Sequence, residues 1–324
     1  MIEVQGVSHA FGDRTVLHGL RFTVPGGTVC GFIGPNGAGK TTTLRIMATL
    51  LAPSAGDVVV AGHSVTRAPD EVRRVLGYMP DSCGVYERIT AEEYLDFFAS
   101  AQGLWGAKRA RAIENVVELT EVGELRKREV AALSKGQKQR LLLARTLLHD
   151  PSVLILDEPA SDLDPRARIE LRALLAELGR MGKTVLLSSH ILTELADVCG
   201  WIGILQKGRV VAAGPIGEVQ AALRPGQRVR VRVLAEGALA ERVLRGVEGV
   251  REVRVLLREG EGEGPTQLEV SYEGDAWRIA ALVGALAEAR VPVAAVEPEK
   301  HDLERIFLDL TGTATASATP AVAS

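Results

Sequence analysis

Gly34-Pro35-Asn36-Gly37-Ala38-Gly39-Lys40-Thr41-Thr42 is the stretch whose reading decides the fold. It fits the pattern G-x-x-x-x-G-K-S/T, follows the apolar, strand-like run Val29 to Ile33, and opens a helix-like run from Thr42 to Leu51. Strand, loop and helix in that order are the context the pattern requires. Glycines at 34, 37 and 39 are expected to give the loop backbone angles closed to other residues, so that successive N–H groups turn inward on one anion. A phosphate chain is the natural guest. Lys40 would set its ammonium against β- and γ-phosphates, the Thr41 hydroxyl would ligate Mg²⁺, and the following helix would add its N-terminal partial charge.

The rest of the composition is that of an ordinary globular chain. It has 324 residues, 46% apolar and 24% charged, enough for two domains with a large core. A net charge of −3 gives no bulk electrostatic reason to expect a nucleic-acid partner. Cys30, Cys83 and Cys199 are odd in number and have no metal-ligand spacing, so they read as reduced thiols of a cytosolic protein. The N-terminus lacks the pattern of a secretion signal, and no window reaches the roughly 18 uninterrupted apolar residues of a spanning helix.

Outward from the loop, residues 1–33 alternate apolar and polar, with turns at Gly12-Asp13 and Pro25-Gly26-Gly27, as short antiparallel strands would. Phe11 in the first turn is either a core residue or a platform for a nucleotide base. Strands are expected over 56–62 and 74–79, and a helical insertion over about 88–135. Leu133-Ser134-Lys135-Gly136-Gln137-Lys138-Gln139-Arg140 then has N-cap chemistry at Ser134, a glycine permitting close approach at Gly136, and basic residues suited to an anion. Val153-Leu154-Ile155-Leu156-Asp157-Glu158-Pro159 follows, a buried-strand pattern ending in two acids. Such acids at a strand's C-terminal edge need a use. Asp157 is placed to hold Mg²⁺ and Glu158 to polarise a water aimed at a γ-phosphate. A helix from Arg166 and a strand ending Ser188-Ser189-His190 come next, which puts His190 at the ligand edge of a parallel sheet.

The order of these motifs, together with Ser161 to Asp164, resembles the nucleotide-binding subunit of ABC transporters over about residues 1–220. The resemblance implies a P-loop ABC ATPase domain, α/β with a mixed sheet and a helical subdomain, hydrolysing ATP with Mg²⁺. It implies a head-to-tail homodimer with two ATP molecules sandwiched between the chains. Gly34 to Thr42 would cradle the phosphates, and Ser134, Gly136 and Gln137 of the partner copy would meet the same γ-phosphate. Phe11 would stack on adenine, Glu158 would act as general base, His190 as γ-phosphate sensor, and Asp164 would link the two sites. Thr41 and Asp157 would be the metal residues.

Two positions depart from the family pattern. Asp81 stands where a glutamine that touches Mg²⁺ and the attacking water is usual, and a carboxylate there can still ligate Mg²⁺. An acid at this place favours an exporter type resembling antibiotic-resistance, daunorubicin-type ATPases. Lys135 stands where glycine is commoner. The expected assembly is an exporter whose separately encoded membrane permease sits on the loop 81–87, with this chain peripheral on the cytoplasmic face. The rival is a soluble ABC ATPase acting on ribosomes or DNA. Ribosome-acting members generally carry two cassettes in one chain, and chromosome-maintenance members split theirs with long coiled coils.

After the first domain, assigned to 1–224, residues 225–312 read as strand, helix, strand, strand, helix, strand. That order suggests a small α+β, ferredoxin-like domain with a regulatory or dimer-stabilising role, its acid run 259–264 a solvated hairpin loop. The ending 303–312 resembles the terminal helix of exporter-type ATPases, and 313–324 is an Ala/Thr/Ser/Pro-rich tail expected to be disordered.

Overall fold

The computed structural model of the protein describes residues 1–82, 84, 88–161, 163–190, 198–222, 227–234, 237–258, 266–273 and 276–298. The chain divides into two compact units, Met1–Val219 and Gln220–Ser324.

The first unit opens with β1 (Ile2–Phe11) and β2 (Arg14–Val24), paired antiparallel, then β3 (Val29–Ile33), α1 (Lys40–Met47), β4 (Ala55–Val60) and β5 (His63–Ser64). Strands β2, β1, β4 and β5 form one antiparallel sheet in that order. In β1 and β2 buried residues alternate with less buried ones, as in strands with one face on the core. Next come α2 (Pro69–Val75) and β6 (Leu76–Met79). Arg74 and Val75, expected to begin the strand, close this helix instead, where Arg74 forms an i,i+3 ion pair with Glu71 at 2.8 Å.

The helical insertion consists of α3 (Ala91–Ala101) and α4 (Gly106–Leu119), and leads through short turns into α5 (Lys135–Leu147). Thr90 starts it with a reciprocal capping box to Glu93 and also bridges to Glu129, so the insertion leaves and returns at one place. Its buried side, including Tyr94, Leu95, Ile113 and Val117, follows helical spacing.

The chain then runs through β7 (Val153–Leu156), α6 (Pro165–Arg180), β8 (Thr184–Ser189), β9 (Trp201–Gln206), β10 (Arg209–Pro215) and α7 (Ile216–Ala222). The second sheet has the order β10-β9-β3-β8-β7-β6, parallel except for the β9–β10 hairpin. Every residue of β3, β7 and β8 is buried, the pattern of strands covered on both faces. Since β3, β8 and β7 are parallel neighbours, the loops that leave their C-terminal ends open on one edge. That edge carries the site.

The second unit contains β11 (Gln227–Val233), α8 (Gly237–Arg245), β12 (Val250–Arg258), β13 (Thr266–Tyr272), α9 (Ala276–Glu288) and β14 (Val293–Pro298). Its sheet is antiparallel in the order β12-β13-β11-β14. Val229, Val231, Val233, Leu268, Val270 and Tyr272 meet Ala240, Leu244, Leu282 and Leu286 in a core of its own. The acidic loop 259–264, the segment 303–312 and the tail 313–324 lie outside the described residues, as do positions 83 and 85–87 of the loop expected to face a permease.

Candidate active site

The glycine-rich loop joins β3 to α1 and needs its glycines for two different reasons. Gly37 and Gly39 take left-handed angles, φ +78° and +106°, which side chains disfavour. Gly34 does not; there the requirement is space, because a Cβ would lie 2.4 Å from the carbonyl oxygen of Leu205 on β9. The expectation that all three glycines supply unusual angles is corrected to that extent. Gly39 caps α1 without any side-chain hydrogen bond, so the helix presents open N–H groups where the loop curls.

A cleft of about 640 Å³ opens at this edge. Pro35, Asn36, Gly37, Gly39, Lys40, Thr41 and Thr42 line it together with Phe11, Asp81, Glu158 and His190. Gly34 and Ala38 are buried behind the loop. Thus four loops far apart in sequence, and the end of β1, meet where parallel pairing predicts.

Inside the cleft the polar groups are connected. Lys40 Nζ donates to the carbonyl oxygens of Gly34 (2.7 Å) and Pro35 (3.4 Å) and lies 3.2 Å from Glu158 Oε1. Glu158 Oε2 is 2.9 Å from Nδ1 of His190, which is 41% exposed at the rim. Asp157, 1% exposed, accepts from Thr41 Oγ1 (3.2 Å) and from Ser188 Oγ (2.7 Å) through the same oxygen. Burial pushes the Asp157 carboxyl up from its usual range, against the opposing pull of those two hydrogen bonds, and the charges of Asp81 and Glu158 add to the rise. Ser188 Oγ also accepts the backbone N–H of Glu158 at 2.8 Å. Glu158 holds φ +48°, an uncommon angle for a residue other than glycine, at a site where backbone strain accompanies function.

The residues present fit a magnesium ion. Thr41 and Asp157 offer hard oxygen donors side by side, Asp81 lines the same cleft, and the shared Ser188 bond fixes the orientation of Asp157. Among the described residues no cluster of three or more His, Cys, Asp or Glu could enclose a metal.

Ser134, Gly136, Gln137 and Asp164 do not themselves line this cleft, although Lys135 does. Ser134 caps α5, accepting Gln137 N–H at 3.3 Å while its own N–H donates to Gln137 Oε1 at 3.0 Å. Gly136 abuts α6, where a Cβ would come 3.3 Å from that of Ala167. Asp164 caps α6 through Ala167 N–H at 2.9 Å. The basic residues after the signature are already engaged within the chain, Lys138 with the Ala131 carbonyl oxygen and Arg140 with Glu170 and Glu121.

Sequence reasoning gave no site role to Ser188, Arg14, Val16 or Ser82, all of which either line the cleft or order its acids, and named Ser161 only as part of a motif. Lys135, noted there as a departure, also lines it. A serine within a buried strand, beside an acid on the next strand, is the one signal that could have exposed Ser188.

Known proteins resemble the chain in sequence and in fold. The model of the ABC transporter family matches residues 17–161. The daunorubicin/doxorubicin resistance ATP-binding protein DrrA of Streptomyces peucetius is 34% identical, over 96% of this chain and 92% of that protein. A solved ATP-binding subunit of an ABC transporter is 32% identical with a TM-score of 0.62, covering 68% of this chain and 92% of the other. CbiO1 of Clostridium perfringens, described as part of the ABC transporter complex cbiONQ, is 26% identical with a TM-score of 0.62, covering 68% of this chain and 90% of its own.

Proposed function

This chain belongs to the family of ABC transporter ATP-binding proteins, and on that footing we propose that it drives an exporter by hydrolysing ATP against a separate membrane permease. It is an ATPase of that family, and it binds ATP. No helix among the described residues is long and apolar enough to cross a membrane. The resemblance to a drug-resistance subunit over nearly the whole length makes export of a small-molecule antibiotic the direction we assign. Its place is then the cytoplasmic face of the membrane, where ATP is available.

The observation that carries this reading is the connected set Lys40, Glu158 and His190 beside Thr41 and Asp157 in one cleft. Lys40 holds the β- and γ-phosphates, with the loop amides of 34–39 around them. Glu158 takes a proton from the attacking water, and His190, bonded to the same carboxylate, fixes its direction and senses the γ-phosphate. Thr41 and Asp157 are the residues that would hold Mg²⁺, which would supply positive charge to the phosphate oxygens. Asp81, on the cleft wall, orients water or metal there in place of the usual glutamine. Phe11, 54% exposed, offers a ring to adenine.

Ser134, Gly136 and Gln137 do not line their own chain's cleft, although Lys135 between them does, so completion of the site by a second copy rests on the family resemblance. Closure of two chains around ATP would then be the stroke, and hydrolysis the release. Asp164 at the start of α6 would sit in that interface. The second unit is assigned a regulatory or dimer-stabilising role.

The test is fractionation of native cells with a photo-crosslinker placed at Ser82. Recovery with membranes, cross-linked to a protein of many spanning helices, is the expected result. Recovery only in the soluble fraction or with ribosomes would overturn the exporter assignment and leave the ATPase chemistry intact.

A further inference from the structure

His9 has no part in the chemistry above, yet it sits immediately behind it. The side chain is only 7% exposed, and neither ring nitrogen meets a hydrogen-bond partner among the described residues. An imidazole shut away from water with both nitrogens unmet destabilises a fold relative to an apolar side chain of similar size. Stability therefore gives no reason for a histidine here.

The geometry supplies one. His9 and Phe11 are two residues apart in β1, and their rings meet with centroids 4.5 Å apart and planes at 77°. This is the edge-to-face arrangement in which the electropositive edge of one ring meets the electron-rich face of the other. The register of β1 on β2 slips on both sides of His9, an irregularity of the kind that re-aims side chains beside active sites. Opposite His9 on β2 stands Leu17, whose Cδ2 occupies the space a Cβ on Gly39 would need, at 2.6 Å. His9 thus stands against the ring at the cleft wall and opposite, in strand register, the leucine that backs the phosphate loop.

We propose that His9 is a positioning residue for the nucleotide base, its ring setting the plane of Phe11 so that the exposed Phe11 face is ready to stack on a purine. An exposed phenyl ring alone on a strand end would sample several rotamers, and the base would have to select one of them at an entropic cost. The buried imidazole removes that choice before the base arrives. The inference rests on the reading of Phe11 as the base platform.

The experiment compares ATP with inorganic tripolyphosphate, which carries the phosphates but no base, in equilibrium titrations of the full chain. His9→Ala should weaken ATP binding about 2- to 10-fold, leave tripolyphosphate binding unchanged, and add nothing in a Phe11→Ala background. His9→Phe, which keeps a ring edge at that place, should bind ATP like the wild type. Should the alanine variant fail to fold, His9→Leu fills the volume without an aromatic edge and carries the same comparison. Unchanged ATP binding in His9→Ala, with a loss in Phe11→Ala, would overturn the proposal and spare the platform. A loss equal for ATP and tripolyphosphate would overturn it as general damage to the loop. No loss on Phe11→Ala would remove the platform itself.

Discussion

Lys40 Nζ and Glu158 Oε1 lie 3.2 Å apart, so the cation for the phosphates and the carboxylate for the water are partners of one another. Lys40 is 6% and Glu158 18% exposed, so water does little to screen the pair. An incoming phosphate competes with Glu158 for Lys40. Glu158→Gln keeps the shape and removes the competitor. Hydrolysis should fall by roughly 10²- to 10⁴-fold, while ADP and ATP bind as tightly as before or more tightly. Single-turnover hydrolysis beside an ADP titration checks both, and near-normal hydrolysis would refute Glu158 as the base. Lys40→Ala should abolish measurable ATP binding.

Ser188 ties the two acids together, donating to Asp157 at 2.7 Å and accepting from the Glu158 N–H at 2.8 Å. Ser188→Ala leaves that buried N–H without its partner and lets the Asp157 carboxylate turn. The cost should be about 1–3 kcal/mol of stability, with a higher Mg²⁺ concentration needed for half-maximal ATPase activity. Denaturant melts and a Mg²⁺ titration measure the two effects. A variant unchanged in both would show that Ser188 merely fills space.

At Gly34 the neighbour is rigid. A methyl group would lie 2.4 Å from a backbone oxygen of β9 and 3.1 Å from the Ala38 side chain, so the loop must shift. Gly34→Ala should cost about 1–3 kcal/mol as overpacking does and weaken ATP binding. By contrast nothing lies within 4 Å of a Cβ on Gly37, where the penalty is the backbone angle alone. Gly37→Asn, a residue tolerant of that angle, should retain binding. Equal losses at 34 and 37 would contradict this division.

His149, half-buried after α5, lies with Nε2 3.1 Å from the Leu76 carbonyl oxygen. Burial lowers its pKa from the usual imidazole value, Lys183 lowers it further, and the Leu76 bond and Asp150 pull the other way. In the folded state the proton is therefore held less firmly than in the unfolded chain. As pH falls below about 6.5 the unfolded state takes up the proton first, so this contribution to stability is present above that value and is lost as pH drops through the window. The melting temperature should decline on acidification through this range, and His149→Gln should flatten that part of the curve. An unaltered slope in the variant would assign the decline elsewhere.

The motifs around Gly34, Asp157 and His190 were legible because each rests on local constraints: glycine angles, a capped helix start, an apolar run that ends in acids. Alternation in β1 and β2 and helical spacing in α3 and α4 were legible for the same reason. The split of 74–79 between α2 and β6 was not, since Arg74 and Val75 suit either state until Glu71 offers an ion pair one turn away.

By itself, then, the sequence determined that a phosphate-binding loop, an acid pair and a strand-end histidine exist in an order that names the family. Only the tertiary structure decided that Lys40 is held by Glu158, that Ser188 governs both acids, that Gly34 is required by the Leu205 oxygen of a distant strand, and that His9 stands behind Phe11. The physical reason is that these relations are created by strands laid side by side across long stretches of chain. Serine, glycine and a buried histidine carry no periodic or local signal of the neighbour that packing will bring them.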